Sequence, residues 1–170
     1  MTPKRNITAI IVHHSVSAWG DGDTIKHWHT DPKPRGNGWK VPGYHVVITN
    51  GWNTYPVWQS RNRGPVRVDR ILNEQLVANG CKYANANSLH VCLIGDFDKS
   101  TILPAQRDKL IDLLTHWCRT HGLAPANIYG HGEMQKKIGK EGYSKTCPGK
   151  TISMSAIRME VARRLGEVKS

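Results

Sequence analysis

Four residues whose side chains could do chemistry together lie near the C-terminus: His131, Glu133, Lys145 and Cys147. The stretch that carries them is rich in glycine and lysine and has little apolar periodicity, so it is predicted to be a loop. Imidazole and thiolate are donors that suit zinc, and loops with reactive side chains on a rigid scaffold are usually functional. His131 and Cys147 therefore suggest a metal site. Alternatively, Cys147 is a small buried thiol and His131 is a capped loop residue.

A catalytic zinc takes three protein ligands and keeps one position open, so another donor must come from elsewhere in the chain. Residues 7–12 are a β-branched run that predicts a buried strand, and this run leads into His13 and His14. A histidine at the end of a core strand can face a site at the edge of the sheet. It can equally be a hydrogen-bonded core residue, which is the commoner case. Alternation along the strand points His13 and His14 to opposite faces.

Further elements are needed to hold these residues in place. Apolar patterns predict strands at residues 43–49, 88–95 and 128–129, and helices at Pro104–His121 and about 153–165. The last helix is amphipathic and basic; a helix that caps the core is favoured over one that lies on a membrane. Strands and helices alternate without a repeat or a linker. The pattern predicts an α/β fold, with a central mixed sheet flanked by helices, in one domain over residues 1–170.

Other segments give weaker signals. A helix is predicted to start at residues 23–25 and to run through His29, followed by a loop at 31–38. Asn50 and Gly51 form a strong hairpin signal, with residues 54–58 as the partner strand. Apolar residues between 71 and 78 indicate a short helix.

Composition limits the possible classes. The chain has no apolar run of about 18 residues, so no membrane span is expected. The N-terminus lacks the features of a signal peptide, which predicts synthesis in the cytoplasm. The four cysteines are irregularly spaced, and this argues against a disulfide framework. Cys92 and Cys118 have apolar neighbours and are predicted to be packed thiols.

The net charge is +11, which predicts attraction to polyanions such as nucleic acid, anionic lipid or an acidic cell envelope. The sequence has no helix-turn-helix, RRM or zinc-finger pattern, so specific nucleic-acid binding is not expected. The basic residues form three clusters: Lys33, Arg35 and Lys40; Arg61, Arg63, Arg67 and Arg70; and the lysines from Lys136 to Lys145.

Three features follow one another in the order of a known family. They are a strand that ends in IVHHS at 11–15, a strand that opens with GYHVVI at 43–48, and a late stretch with GHGE at 130–133 and SKTCP at 144–148. The sequence resembles the type 2 N-acetylmuramoyl-L-alanine amidases, a zinc family that includes phage lytic amidases and peptidoglycan recognition proteins. The resemblance extends over most of the chain, including the Asn-rich turn and strand at 85–95.

The resemblance implies a zinc site in a surface cleft, with His13, His131 and Cys147 as ligands. It places Tyr44 and Lys145 beside the metal-bound water, Lys145 as a fixed cation for the developing oxyanion and Tyr44 as a hydrogen-bonding group. The implied reaction is hydrolysis of the amide between N-acetylmuramic acid and L-alanine in peptidoglycan. Without the resemblance, Lys145 would be a solvated loop cation and Tyr44 a core aromatic. The general base stays open.

The implied protein is a phage endolysin, expected to be monomeric, that is made in the host cytoplasm and reaches the wall after release. Two positions depart from the family pattern: Cys81 replaces a histidine found in many phage members, and His90 replaces a small residue. Both are expected near the cleft. Three tryptophans offer stacking faces for sugars, although packing explains them as well: Trp39, Trp52 and Trp58.

Three other functions have some support in the sequence. The first is a non-catalytic recognition module of the same fold, which usually lacks the cysteine ligand; Cys147 is present, so this ranks second. The second is a deaminase-like zinc enzyme, suggested by His131 and Glu133, but its downstream Pro-Cys-x-x-Cys is missing. The third is a metal-independent hydrolase with Cys147 as the nucleophile.

Overall fold

The computed structural model describes residues 4–53, 63–140, 142 and 146–167. In chain order, the elements are β1 (Ala9–His14), α1 (Gly22–Thr30), β2 (Val46–Ile48), β3 (Val68–Arg70), β4 (Ser88–Leu93), α2 (Pro104–His121), β5 (Ile128–Gly130), α3 (His131–Lys137) and α4 (Met154–Glu167). A 3-10 turn at Pro125–Asn127 leads into β5.

The strands form one mixed five-stranded sheet in the order β3-β2-β4-β1-β5. β1 runs parallel to β4 and β5, and β2 runs parallel to β4. Among the described strands, only β3 is antiparallel to its neighbour, which is β2. The predicted α/β class with a mixed central sheet is confirmed. Parallel strands bring the carboxyl ends of β1 and β5 to the same edge, where ligands commonly bind in open α/β sheets.

Helices cover both faces of the sheet. One face packs against α2 and α4 in the largest apolar cluster, which includes Trp117 and Val161. The other face packs against Ile25 of α1 and Met134 of α3 in two smaller clusters. β1 is buried along its whole length, because it lies inside the sheet with helices on both sides.

Several predicted elements are confirmed. β1, β4 and β5 overlap the predicted runs, and α2 has the predicted bounds Pro104–His121. Gly122 ends α2 in a left-handed conformation, with φ of 65°, and its N–H donates to Cys118 O. α4 packs against α2 and buries Ile157 and Val161 in the main core, as predicted for a core-capping helix. In the described part of the chain, no helix has the length and apolarity needed to cross a membrane.

The hairpin prediction at Asn50 and Gly51 is wrong. The antiparallel partner of β2 is β3, and β4 occupies the other side of β2, so both of its edges are taken. The Asn50 side chain instead accepts a hydrogen bond from Trp52 N at 3.0 Å, which makes a local side-chain turn. The predicted partner strand at 54–58 lies outside the described residues.

The short helix predicted between 71 and 78 is also wrong. Asn73 Oδ1 accepts from Gln75 N at 2.8 Å, and Leu76 N donates to Asn73 O, so the chain makes a turn. The guanidinium of Arg5 fixes this turn by donating to Glu74 O and Leu76 O, both at 2.7 Å. These contacts are distant in sequence, which is why the local apolar pattern was misleading.

Two helix starts differ from the prediction. Asp21, in an extended conformation, caps α1 by accepting from Thr24 N at 2.9 Å, so Asp23 lies in the first turn. The late stretch is not all loop, because His131 begins the helix α3. Gly130 N donates to Glu133 Oε1 at 2.8 Å, and this bond closes the first turn of α3.

Candidate metal centre and cleft

The register of the sheet brings His13 and His131 together. Val12 of β1 pairs with Gly130 of β5, so the residue that follows each of them lies beside the other. The two imidazole rings are 4.6 Å apart between centroids. His14 lies on the other face, where its Nδ1 accepts from Phe97 N at 3.1 Å. The expected separation of His13 and His14 by strand alternation is therefore observed.

Cys147 reaches the same place from the loop before α4. Gly132 N, at the start of α3, donates to Cys147 O at 2.9 Å and ties this loop to the helix. Gly149, with φ of 118°, lies against Phe97; a Cβ there would come within 2.5 Å of the Phe97 backbone. This position therefore requires glycine on both conformational and steric grounds.

Asp98 also anchors this loop. Its carboxylate accepts from Lys150 N at 2.9 Å and from Thr146 Oγ1 at 3.1 Å, one residue on either side of the Cys147–Gly149 segment. The backbone hydrogen bond from Lys150 is the main reason that the pKa of Asp98 is lowered. Sequence reasoning missed Asp98, and its position after β4 at the carboxyl edge was the only available signal.

The donor atoms of His13, His131 and Cys147 all lie within 4.8 Å of one another. Burial lowers the pKa of His13 well below its usual value, and it lowers the pKa of His131 to about 4. Both imidazoles are therefore neutral near pH 7, which is the form that binds metals. Burial raises the pKa of the Cys147 thiol to about 12, against the effect of a backbone hydrogen bond from His14. A metal ion would be needed to make this cysteine a thiolate at neutral pH.

Tyr44 lies against the donor cluster. Its ring centroid is 4.8 Å from that of His13 and 5.2 Å from that of His29. Burial, followed by the nearby Cys92 and Cys147, raises the pKa of Tyr44 well above its usual value. The phenol therefore keeps its proton and can act as a hydrogen-bond donor.

His29 was predicted only as a helix residue, but it lines the cleft. Its Nδ1 accepts from Gly43 N at 3.0 Å, which leaves the proton on Nε2. The Trp39 ring lies against His29, tilted by 38° with ring centroids 4.7 Å apart, and it forms part of the cleft wall. A sugar-facing position for Trp39 is thus compatible with the structure. Trp52 lies in a neighbouring depression beside Arg63, and Trp58 is outside the described residues.

The donor cluster opens into a cleft of about 500 Å³. Polar groups from seven separate segments of the chain line it: His13, His14 and Ser15; His29; Tyr44; Asn79; Asp98; His131; and Thr146 and Cys147. Cys81 is buried against Ala9, Ile11 and Met134, one residue beyond the cleft-lining Gly80. Lys145, the other predicted catalytic residue, lies outside the described residues. Its neighbours Thr146 and Cys147 are at the cleft.

The sequence matches the profile of the Amidase_2 family, N-acetylmuramoyl-L-alanine amidase, over residues 3–150. The match covers both histidines and the cysteine of the donor cluster. The chain belongs to this family. No curated protein sequence matches it as a relative.

Solved structures share the fold at low sequence identity. The N-acetylmuramoyl-L-alanine amidase LysC from Clostridium intestinale URNW has a TM-score of 0.70 and 19% identity, over 93% of this chain and 87% of that chain. The Ph2119 endolysin from Thermus scotoductus MAT2119 bacteriophage Ph2119 gives 0.62 and 18%, over 95% and 87%. Wild-type Drosophila PGRP-LB, a peptidoglycan recognition protein, gives 0.61 and 16%, over 86% and 77%.

Proposed function

We propose that this member of the amidase family is a zinc-dependent enzyme that hydrolyses the amide between N-acetylmuramic acid and L-alanine in peptidoglycan. The observation that carries the proposal is the cluster of His13, His131 and Cys147 donors at a cleft. We further propose a single amidase domain over residues 1–170 that serves as a phage endolysin. It would be made in the host cytoplasm and reach the wall after release.

The donor set fits zinc. Two imidazoles and one thiolate provide three ligands of a tetrahedral site and leave the fourth position for water or substrate. With Zn–N and Zn–S bonds of about 2.0 and 2.3 Å, donor atoms in such a site are roughly 3.3–3.7 Å apart. The donors here lie within 4.8 Å, so closing on a metal requires side-chain shifts of about 1 Å. The neutral state of both histidines removes any need to release protons from the rings.

The amide carbonyl of the substrate is a poor electrophile, and several residues of the cleft would each contribute to its hydrolysis. Bound zinc supplies a Lewis acid that polarises the scissile carbonyl and acidifies water. Tyr44 keeps its proton and can donate it in a hydrogen bond as charge develops on the carbonyl oxygen. Lys145, two residues before Cys147 in the sequence, would add a fixed positive charge for the same oxygen. His29 and Trp39 form the wall against which the substrate would lie.

A recognition module that binds muropeptide without cutting it is the second candidate. The similarity to wild-type Drosophila PGRP-LB, a peptidoglycan recognition protein, favours it to a degree. Against it, Cys147 is present and lies with the two histidines, as a metal-dependent hydrolase requires. The metal-independent Cys147 nucleophile is disfavoured, because burial raises the pKa of that thiol to about 12 and keeps it protonated.

The test is a digestion of purified muropeptide by the full chain, with zinc measured in the same preparation. We expect about one zinc per chain, new L-alanine amino termini in the product, and loss of both after treatment with a chelator. Tight binding without new amino termini would favour the recognition module. An active preparation that contains no zinc and tolerates EDTA would refute the metal-dependent mechanism.

Salt should slow lysis of whole cells more than cleavage of a small soluble muropeptide. The chain carries a net charge of +11, and Lys33, Arg35 and Lys40 are exposed beside the cleft-wall residue Trp39. Attraction to envelope carboxylates and phosphates is screened by salt, whereas the small substrate gains little from it. We expect a rate loss on cells of about 10-fold between low and physiological salt.

Two double variants test whether the charges beside the cleft cause the salt dependence of cell lysis. Lys33→Gln with Arg35→Gln removes two charges beside the cleft, and Arg107→Gln with Lys109→Gln removes two from helix α2 on the other side of the sheet. The first pair should flatten the salt dependence on cells more than the second. Equal salt dependence on cells and on soluble muropeptide would contradict a role of charge in substrate approach.

A further inference from the structure

The side chain of His90, in strand β4, lies against that of His13. The distance from His13 Nε2 to His90 Nδ1 is 3.0 Å, and the rings are stacked at 29° with centroids 5.2 Å apart. His13 is 1% exposed and His90 is fully buried, so water does not compete for this contact. The hydrogen bond therefore joins two neutral rings in the interior.

The sheet and His45 together fix the backbone of His90. In the sheet, His90 pairs with Ile11, two residues before His13 on the same face. The backbone N of His90 donates to His45 Nδ1 at 3.0 Å, and His45 Nε2 contacts Leu76 O at 2.8 Å. Because a carbonyl can only accept, His45 is the Nε2–H tautomer and its Nδ1 is free to accept.

Gly80 leaves the space that the His90 ring needs. A Cβ at residue 80 would come within 2.5 Å of His90 Nδ1 and 2.4 Å of Gly43 O. The backbone at 80 thus approaches the ring more closely than any side chain would permit. Among the described residues, the buried Nε2 of His90 has no hydrogen-bond partner. The described side-chain hydrogen bond of this ring is therefore the one to His13.

We propose that His90 is a positioning residue that orients His13 for metal binding through this hydrogen bond. The inference rests on the proposed zinc site. His13 Nε2 is occupied by the contact with His90, so Nδ1 is the nitrogen left for a metal. A ligating Nδ1 requires the proton on Nε2, and that proton is then donated to His90 Nδ1. If His90 Nδ1 instead donated to His13 Nε2, His13 would carry its own proton on Nδ1. Neither nitrogen of His13 would then have a free lone pair for a metal.

The consequence is a measurable gain in metal affinity. A partner that fixes the tautomer and the ring orientation of a ligating histidine typically raises metal affinity by about 10-fold to 100-fold. In this chain the acceptor comes from His90 itself, and Gly80 provides the room for it.

The experiment measures zinc affinity of the purified full chain by competition with a chromophoric chelator. His90→Phe keeps a ring of similar shape but removes the acceptor, and should weaken zinc binding by about 10-fold to 100-fold. His90→Asn places an oxygen near the position of Nδ1 and should restore affinity to within about 3-fold of wild type. Val91→Ala is the matched control, because Val91 is buried in the same strand but packs in the cluster on the opposite face. It should lower stability without changing zinc affinity.

A second measurement needs no variant. Nitrogen-15 NMR of the histidine side chains in the zinc-bound wild type should show the proton of His13 on Nε2. Unchanged zinc affinity in His90→Phe, failure of His90→Asn to restore it, or a His13 proton on Nδ1 would each overturn the inference while leaving the zinc enzyme intact. A wild-type chain that binds no zinc would overturn the proposed function and this inference together.

Discussion

We expect His131→Ala to lose both the zinc and the wall-lytic activity that we propose for this protein. The variant loses one of three proposed ligands, and the remaining His13 and Cys147 cannot close a catalytic site. Cys147, whose pKa is about 12 in the absence of metal, then stays a neutral thiol. Zinc content should fall from about one per chain to background, and release of L-alanine amino termini should fall to background with it.

The control for this variant is His116→Ala. His116 is an exposed histidine on helix α2, away from the cleft, so its loss should change neither zinc content nor activity. Circular dichroism should show that both variants keep the fold, because His131 lies at the first position of α3 and its side chain caps nothing in the described structure. Full activity in zinc-free His131→Ala would show that the chemistry does not use this cluster.

Tyr44→Phe and Lys145→Ala should keep the zinc and the fold but lower kcat. Neither residue is a proposed ligand, so substrate binding should stay nearly unchanged if both act on the transition state. Loss of one preorganised group that stabilises an oxyanion commonly costs on the order of 100-fold to 1000-fold in rate. Lys145→Ala should be the more severe of the two if the positive charge dominates.

The measurements are cleavage of muropeptide, read as new L-alanine amino termini, and binding by calorimetry. Tyr129→Phe and Lys150→Ala are the matched controls: Tyr129 packs against the Ala9 cluster, and Lys150 is exposed three residues after Cys147. Both controls should cleave like the wild type. Normal cleavage by Tyr44→Phe and Lys145→Ala would leave the zinc in place but remove the roles proposed for these residues.

The local sequence pattern was enough to predict the strands and helices whose apolar residues follow a simple period or an unbroken run. β1 and β4 are continuous apolar runs because both are buried on two faces, and the stripe of α2 matches its buried side. The order of motifs was enough to predict the family. The alternation rule correctly separated His13 from His14, since it depends only on strand geometry.

The local sequence pattern gave wrong predictions where contacts with residues distant in the sequence determine the backbone conformation. Val68–Arg70 has no apolar signal of its own and becomes a strand only because β2 offers an open edge to it. A turn at Asn73 forms in place of the predicted helix, because the Arg5 side chain donates hydrogen bonds to backbone carbonyls that would accept intrahelical hydrogen bonds in a helix. The helix α3 was hidden in a glycine-rich stretch that resembled a loop.

The sequence by itself determined that a histidine ends one core strand, that another follows a short late strand, and that a cysteine lies in the loop beyond. It did not determine that these donors meet. Their meeting depends on the Val12–Gly130 register of two strands far apart in the chain and on the Asp98 and Gly132 contacts that hold the cysteine loop. The contact of His90 with His13 likewise needs the sheet and the space left by Gly80. Spacing along a chain carries no information on such distances, and only packing fixes them.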